Sequence, residues 1–225
     1  MIQALPSSLK DWHISACSVV GEANLLLRFS GVNLDEQNQY VVRFFDSLPM
    51  PWPDWVTDIV PSFDSVMINV DPLMADHYQA LNWIAQQSPK TTSRRCQAHK
   101  IAVNYDATDD YDLTHIAEVT GLTVQQVVDL HTSLSLRVYA VGFAPGFAYL
   151  GELPSSLCIP RRNSPRVAVP AGAVALADSY SAIYPAKSPG GWHLIGQIAQ
   201  DIAFHEHPFA VGDTVQFTCQ RIIGA

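Results

Sequence analysis

What most constrains the fold is a change of rhythm near Leu134. From there Leu134, Leu136, Val138 and Ala140 alternate with Ser135, Arg137 and Tyr139, the period of a strand with one buried face. Short apolar runs follow at Val167 to Val169, Ala173 to Leu176, Ala182 to Tyr184, His193 to Ile198 and Thr214 to Phe217, each cut off by Pro or Gly. Closely spaced strands with such turns predict a closed barrel or a sandwich.

Upstream, helical and strand signals mix. Trp12 to Val19 and Ala23 to Phe29 read as a hairpin turning at Gly21 and Glu22. Asn33, with Glu36 three residues on, opens a helix carrying Leu34, Val41, Phe44, Phe45 and Leu48 at helical spacing. The stretch Pro49 to Trp55 ends it, and Val56 to Val60 and Ser65 to Val70 read as strands. Pro72 is expected to open a second helix, with Met74, His77, Tyr78, Leu81, Ile84 and Ala85 on one side. Ser88 to His99 is polar and aperiodic, with Arg94, Arg95 and Lys100 close together, and reads as a linker. A strand at Ile101 to Tyr105 follows, then a helix ending at Gly121, then a helix with a Thr123/Gln126 capping box and a Leu122/Val127 staple. The expected organisation is an α+β N-terminal domain over residues 1–90 and a mainly β domain over residues 99–225.

Composition limits the partners. The net charge of -8, from 13 basic and 21 acidic residues, repels a phosphate backbone and argues against nucleic acid. The residues from Met1 to Leu9 carry neither a basic nor an apolar leader region, and no apolar run is long enough for a membrane span, so a cytoplasmic location is expected. Four scattered cysteines, Cys17, Cys96, Cys158 and Cys219, form no metal or disulfide framework, which suits a reducing compartment. His205-Glu206-His207 lacks the spacing of a zinc site and reads as an exposed polar turn, and no metal site is expected.

Three segments could carry chemistry. Gly142, Phe143, Pro145, Gly146, Phe147 and Tyr149 lie in one run that offers backbone amides among aromatic rings, or else a tight barrel corner with its rings in the core. Arg161, Arg162 and Arg166, with Pro170 and Gly172 beyond, concentrate positive charge in an acidic chain, as an anion site requires; solvated arginines paired with surface carboxylates are the alternative. Arg161 and Arg162 would point opposite ways on an extended strand, so one of them is expected to be structural. The third segment holds Tyr184, Lys187, Ser188, Gly190, Gly191, Trp192 and His193. Ser188 lacks a nucleophile elbow and any assignable partner, and no Walker A or dinucleotide fingerprint occurs.

Taken together, GFAPGFAYLGEL, IPRRNSPRVAVPAG and IYPAKSPGGWHLIG resemble the family containing the B subunit of 5-oxoprolinase and the sporulation-kinase inhibitor KipI, whose members are also labelled allophanate hydrolase subunit 1 or carboxyltransferase domain. The resemblance implies a cyclophilin-like barrel after the α+β domain, pairing with a homologous C subunit, a third subunit, and ATP-driven opening of 5-oxoproline or a similar cyclic amide. It makes Arg162 and Arg166 candidates for carboxylate or phosphate contacts and Lys187 a source of charge stabilisation, with magnesium arriving on the nucleotide. Amides of Gly142 to Phe147 and of Gly190 to Trp192 would be neutral donors. Inhibition of a sensor histidine kinase and a carboxyltransferase role are the family's other implications. The chain departs from relatives at Ser179-Tyr180-Ser181-Ala182, where Gln-Thr-Gly is common, and at His193, where Gln is usual, so either a substrate other than 5-oxoproline or an altered activity is expected.

Overall fold

The computed structural model describes residues 7–22, 24–90 and 96–224. By contacts the chain divides into two compact units, Met1–Arg95 and Cys96–Ala225.

In the first unit a 3-10 helix, Ser7–Trp12, precedes β1 (Ile14–Val20) and β2 (Asn24–Phe29), so Trp12 is not in the hairpin, and Ala23 lies outside the described residues. Helix α1 (Leu34–Ser47) starts where the Asn33 side chain accepts the Glu36 amide hydrogen at 2.9 Å. Glu36 reaches back one residue further than expected, to the Val32 amide. β3 (Val56–Ser62) and β4 (Ser65–Val70) complete an antiparallel sheet of order β1-β2-β4-β3. Alternation decides its inner face: Leu25, Leu27 and Phe29 of β2 and Val66, Ile68 and Val70 of β4 share one core with Val41 and Phe44 of α1.

Helix α2 runs His77–Ala85 and adds Ala80, Leu81 and Ile84 to that core. Pro72 does not open it. Asp71 turns the chain first, accepting the Leu73 amide, and Asp76 caps the helix through the Gln79 amide, so Met74 and Tyr78 face outward. The expected linker is shorter than read, because β5 (Ala98–Asp106) already includes His99 and Lys100; Arg94 and Arg95 lie outside the described residues.

The second unit contains a closed barrel. After β5 come α3 (Leu113–Thr120), α4 (Val124–Ser133), β6 (Leu136–Val141), β7 (Ala148–Gly151), β8 (Arg166–Val169), β9 (Ala173–Ala177), β10 (Tyr180–Ile183), β11 (Ser188–Gly190), β12 (His193–Ile198) and β13 (Thr214–Ile223). Seven strands close in the order β10-β7-β6-β13-β5-β12-β9, while β8 and β11 pair separately. Gly121 ends α3 in the left-handed region, and Thr123 and Gln126 form the reciprocal capping box of α4. Leu134 and Ser135 belong to the connection after α4 instead of a strand.

Strand β9 explains how a site can sit on the barrel wall. All five of its residues are buried. Val174 and Leu176 point into the barrel core, while Ala173, Ala175 and Ala177 face a second apolar cluster containing Phe147, Tyr184 and Trp192. Period 2 sorts the two sets, and the alanine methyls let large rings lie close to the sheet.

Inside the barrel core one polar chain is completed. The Tyr105 hydroxyl lies 2.7 Å from His131 Nδ1, and His131 Nε2 lies 3.0 Å from Ser181 Oγ, all three residues being fully buried. Burial lowers the His131 pKa from 6.5 to about 3, so the ring is neutral at pH 7. The unfolded chain therefore binds a proton at His131 that the folded chain refuses, and stability present above about pH 6.5 is lost as pH falls toward 3, by at most ~1.4 kcal/mol per pH unit. Urea unfolding of His131→Phe should show an acid limb shallower by about one proton than the parent; equal slopes would show that His131 does not carry this dependence.

Candidate functional site

The arginine-bearing segment is organised by an aspartate outside it. Asp112 occupies the N-cap position of α3, yet its side chain makes no capping hydrogen bond. Its oxygens are taken elsewhere. Arg166 binds it with two nitrogens, Nη1 to Oδ2 at 2.7 Å and Nη2 to Oδ1 at 3.0 Å, and Arg162 Nη1 donates to Oδ1. The Leu194 amide donates to Oδ2 at 2.7 Å, and the Asp112 amide donates to the Leu194 carbonyl oxygen at 2.7 Å. Asp112 is 5% exposed. Burial by itself would raise its pKa, but the hydrogen bonds from Arg166 and Leu194 and the charges of Arg166 and Arg162 outweigh that and hold the carboxyl below its usual range. Two guanidiniums against one carboxylate leave the cluster with net positive charge.

Arg162 and Arg166 are thus not free cations awaiting a ligand; the carboxylate they bind is the chain's own. Residues 160–165 form no strand, so Arg161 and Arg162 are not forced to opposite sides, and both line the same two cavities. Arg161 is exposed, paired with Asp178 at 3.4 Å, with its guanidinium carbon 5.9 Å from the centroid of the Trp192 ring.

The first cavity, of about 210 Å³, is walled by Phe143, Phe147, Tyr149, Tyr184 and Trp192, with Arg161 and Arg162 at its edge and Gly190 and Gly191 among its lining. Phe147 is its centre, meeting Phe143, Tyr149, Tyr184 and Trp192 edge-on at centroid distances of 5.2, 5.1, 5.3 and 5.7 Å. Edge-to-face contacts of this kind contribute about 0.5–1.5 kcal/mol each beyond area burial, so the wall is rigid. Phe143 is 65% exposed and has a positive φ of 78°, a costly backbone for a bulky residue. The second cavity, of about 450 Å³, shares Arg161 and Arg162 and adds His115, Asn163, Ser164 and His193.

Several expected positions fall elsewhere. Gly146 is buried with φ 83° against Phe204, where a Cβ would come within 2.8 Å of a backbone oxygen, so it shapes the barrel corner; Pro145 is exposed and lines neither cavity. The Gly142 amide donates to the Phe147 carbonyl oxygen and the Phe147 amide to that of Ala144, so neither is available to a ligand. Gly172 lines a separate cavity with Gln197 and Phe204, and Pro170 is exposed outside both. Lys187 is exposed, and Ser188 carries a buried Oγ without a partner; neither lines these two cavities. His205 and Glu206 form an exposed 3-10 turn, 3.7 Å apart.

Asp112 and His115 escape a reading of the residues alone because Asp106, Asp109, Asp110 and Asp112 crowd the approach to α3 and look alike in sequence. A faint signal existed: the residue at an N-cap position is free to serve another partner when its helix is otherwise held.

Among the described residues no helix is long and apolar enough to cross a membrane. Residues 15–207 match the family described as carboxyltransferase domain, subdomain C and D. The chain is 33% identical over 215 residues to the B subunit of 5-oxoprolinase from Escherichia coli O157:H7, covering 91% of this chain and 96% of that one. It is 29% identical to the B subunit of 5-oxoprolinase from Bacillus subtilis over 201 residues, 79% of this chain and 80% of the relative. A crystal structure of the protein TTHA0988 superposes with a TM-score of 0.77 at 32% identity, covering 88% of this chain but only 40% of that longer one. The chain therefore spans about two-fifths of that protein's length.

If Asp112 is the shared anchor, Asp112→Ala should lower stability by about 3 kcal/mol, read by urea unfolding, since it leaves two half-buried guanidiniums side by side without their carboxylate. Arg166→Ala added to it should cost much less than Arg166→Ala alone, whereas simple additivity would contradict a common carboxylate.

Proposed function

The chain belongs to the carboxyltransferase domain family, subdomains C and D, and on that premise we propose that it is one subunit of a cytoplasmic, ATP-dependent 5-oxoprolinase, acting with a homologous C subunit and a third subunit. The observation that carries this reading is the wall made by Arg161 and Arg162, which borders both a flat aromatic pocket and a larger polar cleft. Two ligands seated on either side would meet at the same pair of guanidiniums, the arrangement a group transfer needs.

The residues suit a nucleotide in part. At about 210 Å³ the aromatic pocket is smaller than the roughly 300–1,000 Å³ that encloses a drug-sized ligand, so it takes a flat ring and leaves the phosphates to the arginines at its rim. ATP, when bound, would supply a phosphoryl group to the amide oxygen, activating the carbonyl carbon so that water adds, the ring C–N bond breaks with the nitrogen leaving as the amine, and a second water releases phosphate from the resulting acyl phosphate. Arg161, whose ion pair is with an exposed carboxylate, is free to turn to a phosphate oxygen, and Arg162, held by Asp112, offers a fixed charge beside it. Lys187, exposed and without an ion pair among the described residues, serves only if the ligand extends past the wall. Among the described residues no group of three or more His, Cys, Asp or Glu is gathered that could hold magnesium, and the Asp112 oxygens are engaged.

Co-purified with the homologous C subunit and the third subunit, the chain should release phosphate from ATP only when 5-oxoproline is present; an assembled complex without substrate-dependent release would sink the proposal. In the active complex Arg161→Ala should lower kcat/KM roughly tenfold or more. Its melting temperature should stay unchanged, because the exposed Arg161–Asp178 pair contributes little to stability.

A further inference from the structure

The loop between β6 and β7 holds one bulky residue in a backbone conformation that costs it strain. Phe143 has φ 78°, in the left-handed region where a Cβ crowds the neighbouring carbonyl. The chain is pinned there from both sides: the Gly142 amide donates to the Phe147 carbonyl oxygen and the Phe147 amide to that of Ala144, each at 3.0 Å. Glycine takes such a φ without strain, as Gly146 does at 83° in the same loop. Burial of the side chain would offset the strain, yet Phe143 is 65% exposed, with its ring edge-on to Phe147. It lines the aromatic pocket together with Phe147, Tyr149, Tyr184 and Trp192, and of these five rings it is the exposed one.

A flat ring seated in that pocket would cover apolar surface that Phe143 now shows to water, supplying on binding the burial that the ligand-free fold lacks. Arg161 and Arg162 on the same lining favour a ring that carries negative charge. We infer that Phe143 selects ligands by their ring: the pinned backbone holds its side chain at the opening of the pocket, and stacking on the flat ring of an aromatic anion offsets the strain. The inference deepens the proposed function, and rests on it only for naming a nucleotide as that anion. It makes two demands that a purely structural role does not. Loss of the side chain weakens ligands that carry a ring and spares those that are phosphate alone. The same loss leaves the fold as stable as before or more so, because the strain leaves with the ring.

Calorimetric titration of the full chain with ADP and with inorganic pyrophosphate tests this, alongside thermal melting. Phe143→Gly and Phe143→Asn both suit a left-handed backbone, and Asn does so without the added freedom of Gly, so an effect common to the two belongs to the missing ring. In both variants ADP should bind at least about fivefold more weakly, the lower end of what one base stacked on an aromatic ring contributes, while pyrophosphate binding stays within about twofold. Their melting temperatures should equal or exceed the parent's. Phe143→Tyr keeps the ring and should keep ADP affinity within about twofold of the parent's. Unchanged ADP affinity in both variants, an equal loss for ADP and pyrophosphate, a lower melting temperature in both, or no binding of ADP by the parent chain overturns the inference. Phosphate release by the assembled enzyme separates the two readings. Turnover of 5-oxoproline whose KM for ATP is indifferent to Phe143→Asn removes the role of Phe143 alone, while ring-dependent ADP binding in a complex without turnover upholds Phe143 and removes the proposed reaction.

Discussion

A single carboxylate shared by two guanidiniums holds together parts of the chain that are far apart in sequence. Asp112 stands at the start of α3, Arg162 in the loop before β8, Arg166 at the first position of β8, and Leu194 on β12. Each bond made by one partner presents the carboxylate to the next. Because Asp112 is buried, every missing donor would leave charge in a poorly solvated place, so the contacts stand or fall as a set. The arginine wall takes its position from this set, and both cavities take their shape from the wall.

The other half of the site depends on a contrast in size. Ala173, Ala175 and Ala177 keep the outer face of β9 low, and Phe147, Tyr184 and Trp192 pack over it instead of solvent. Phe147 is locked by four edge-on neighbours, so the loop around it behaves as part of the core. Arg161 is the adjustable complement to this rigid wall: an exposed cation over Trp192, paired with an equally exposed Asp178. A fixed guanidinium beside an adjustable one suits a site that must first bind and then follow charge as it moves.

Much of this was legible in the residues. Local chemistry announced the capping box at Thr123 and Gln126 and the left-handed end of α3 at Gly121, because each depends on neighbours within a few positions, whereas the alternation expected of β6 breaks at Tyr139, which is buried like its neighbours. Three loops rich in Gly, Pro and aromatic residues did converge in part, with Phe143, Phe147, Arg161, Arg162, Gly190 and Trp192 around one cavity. What failed was long-range. Nothing in the string distinguishes Asp112 from Asp109 or Asp110, since its value comes from partners about fifty residues or more away. Pro170, Gly172 and Lys187 share the composition of the site without its geometry, and Gly146 serves close packing against Phe204. Pro72 misleads because a proline suited to a helix start also suits the turn that Asp71 makes just before one.

The position of the arginine wall depends on whether the guanidiniums overcome the cost of burying Asp112. Side-chain carbon NMR of the Asp112 carboxyl across an acid titration decides this directly. If two guanidiniums and the Leu194 amide hold it ionised, its midpoint lies below the ordinary ~3.9 of an aspartate. A midpoint at or above that value would mean that burial prevails, that the carboxylate does not anchor Arg162 and Arg166, and that the wall between the cavities has some other origin.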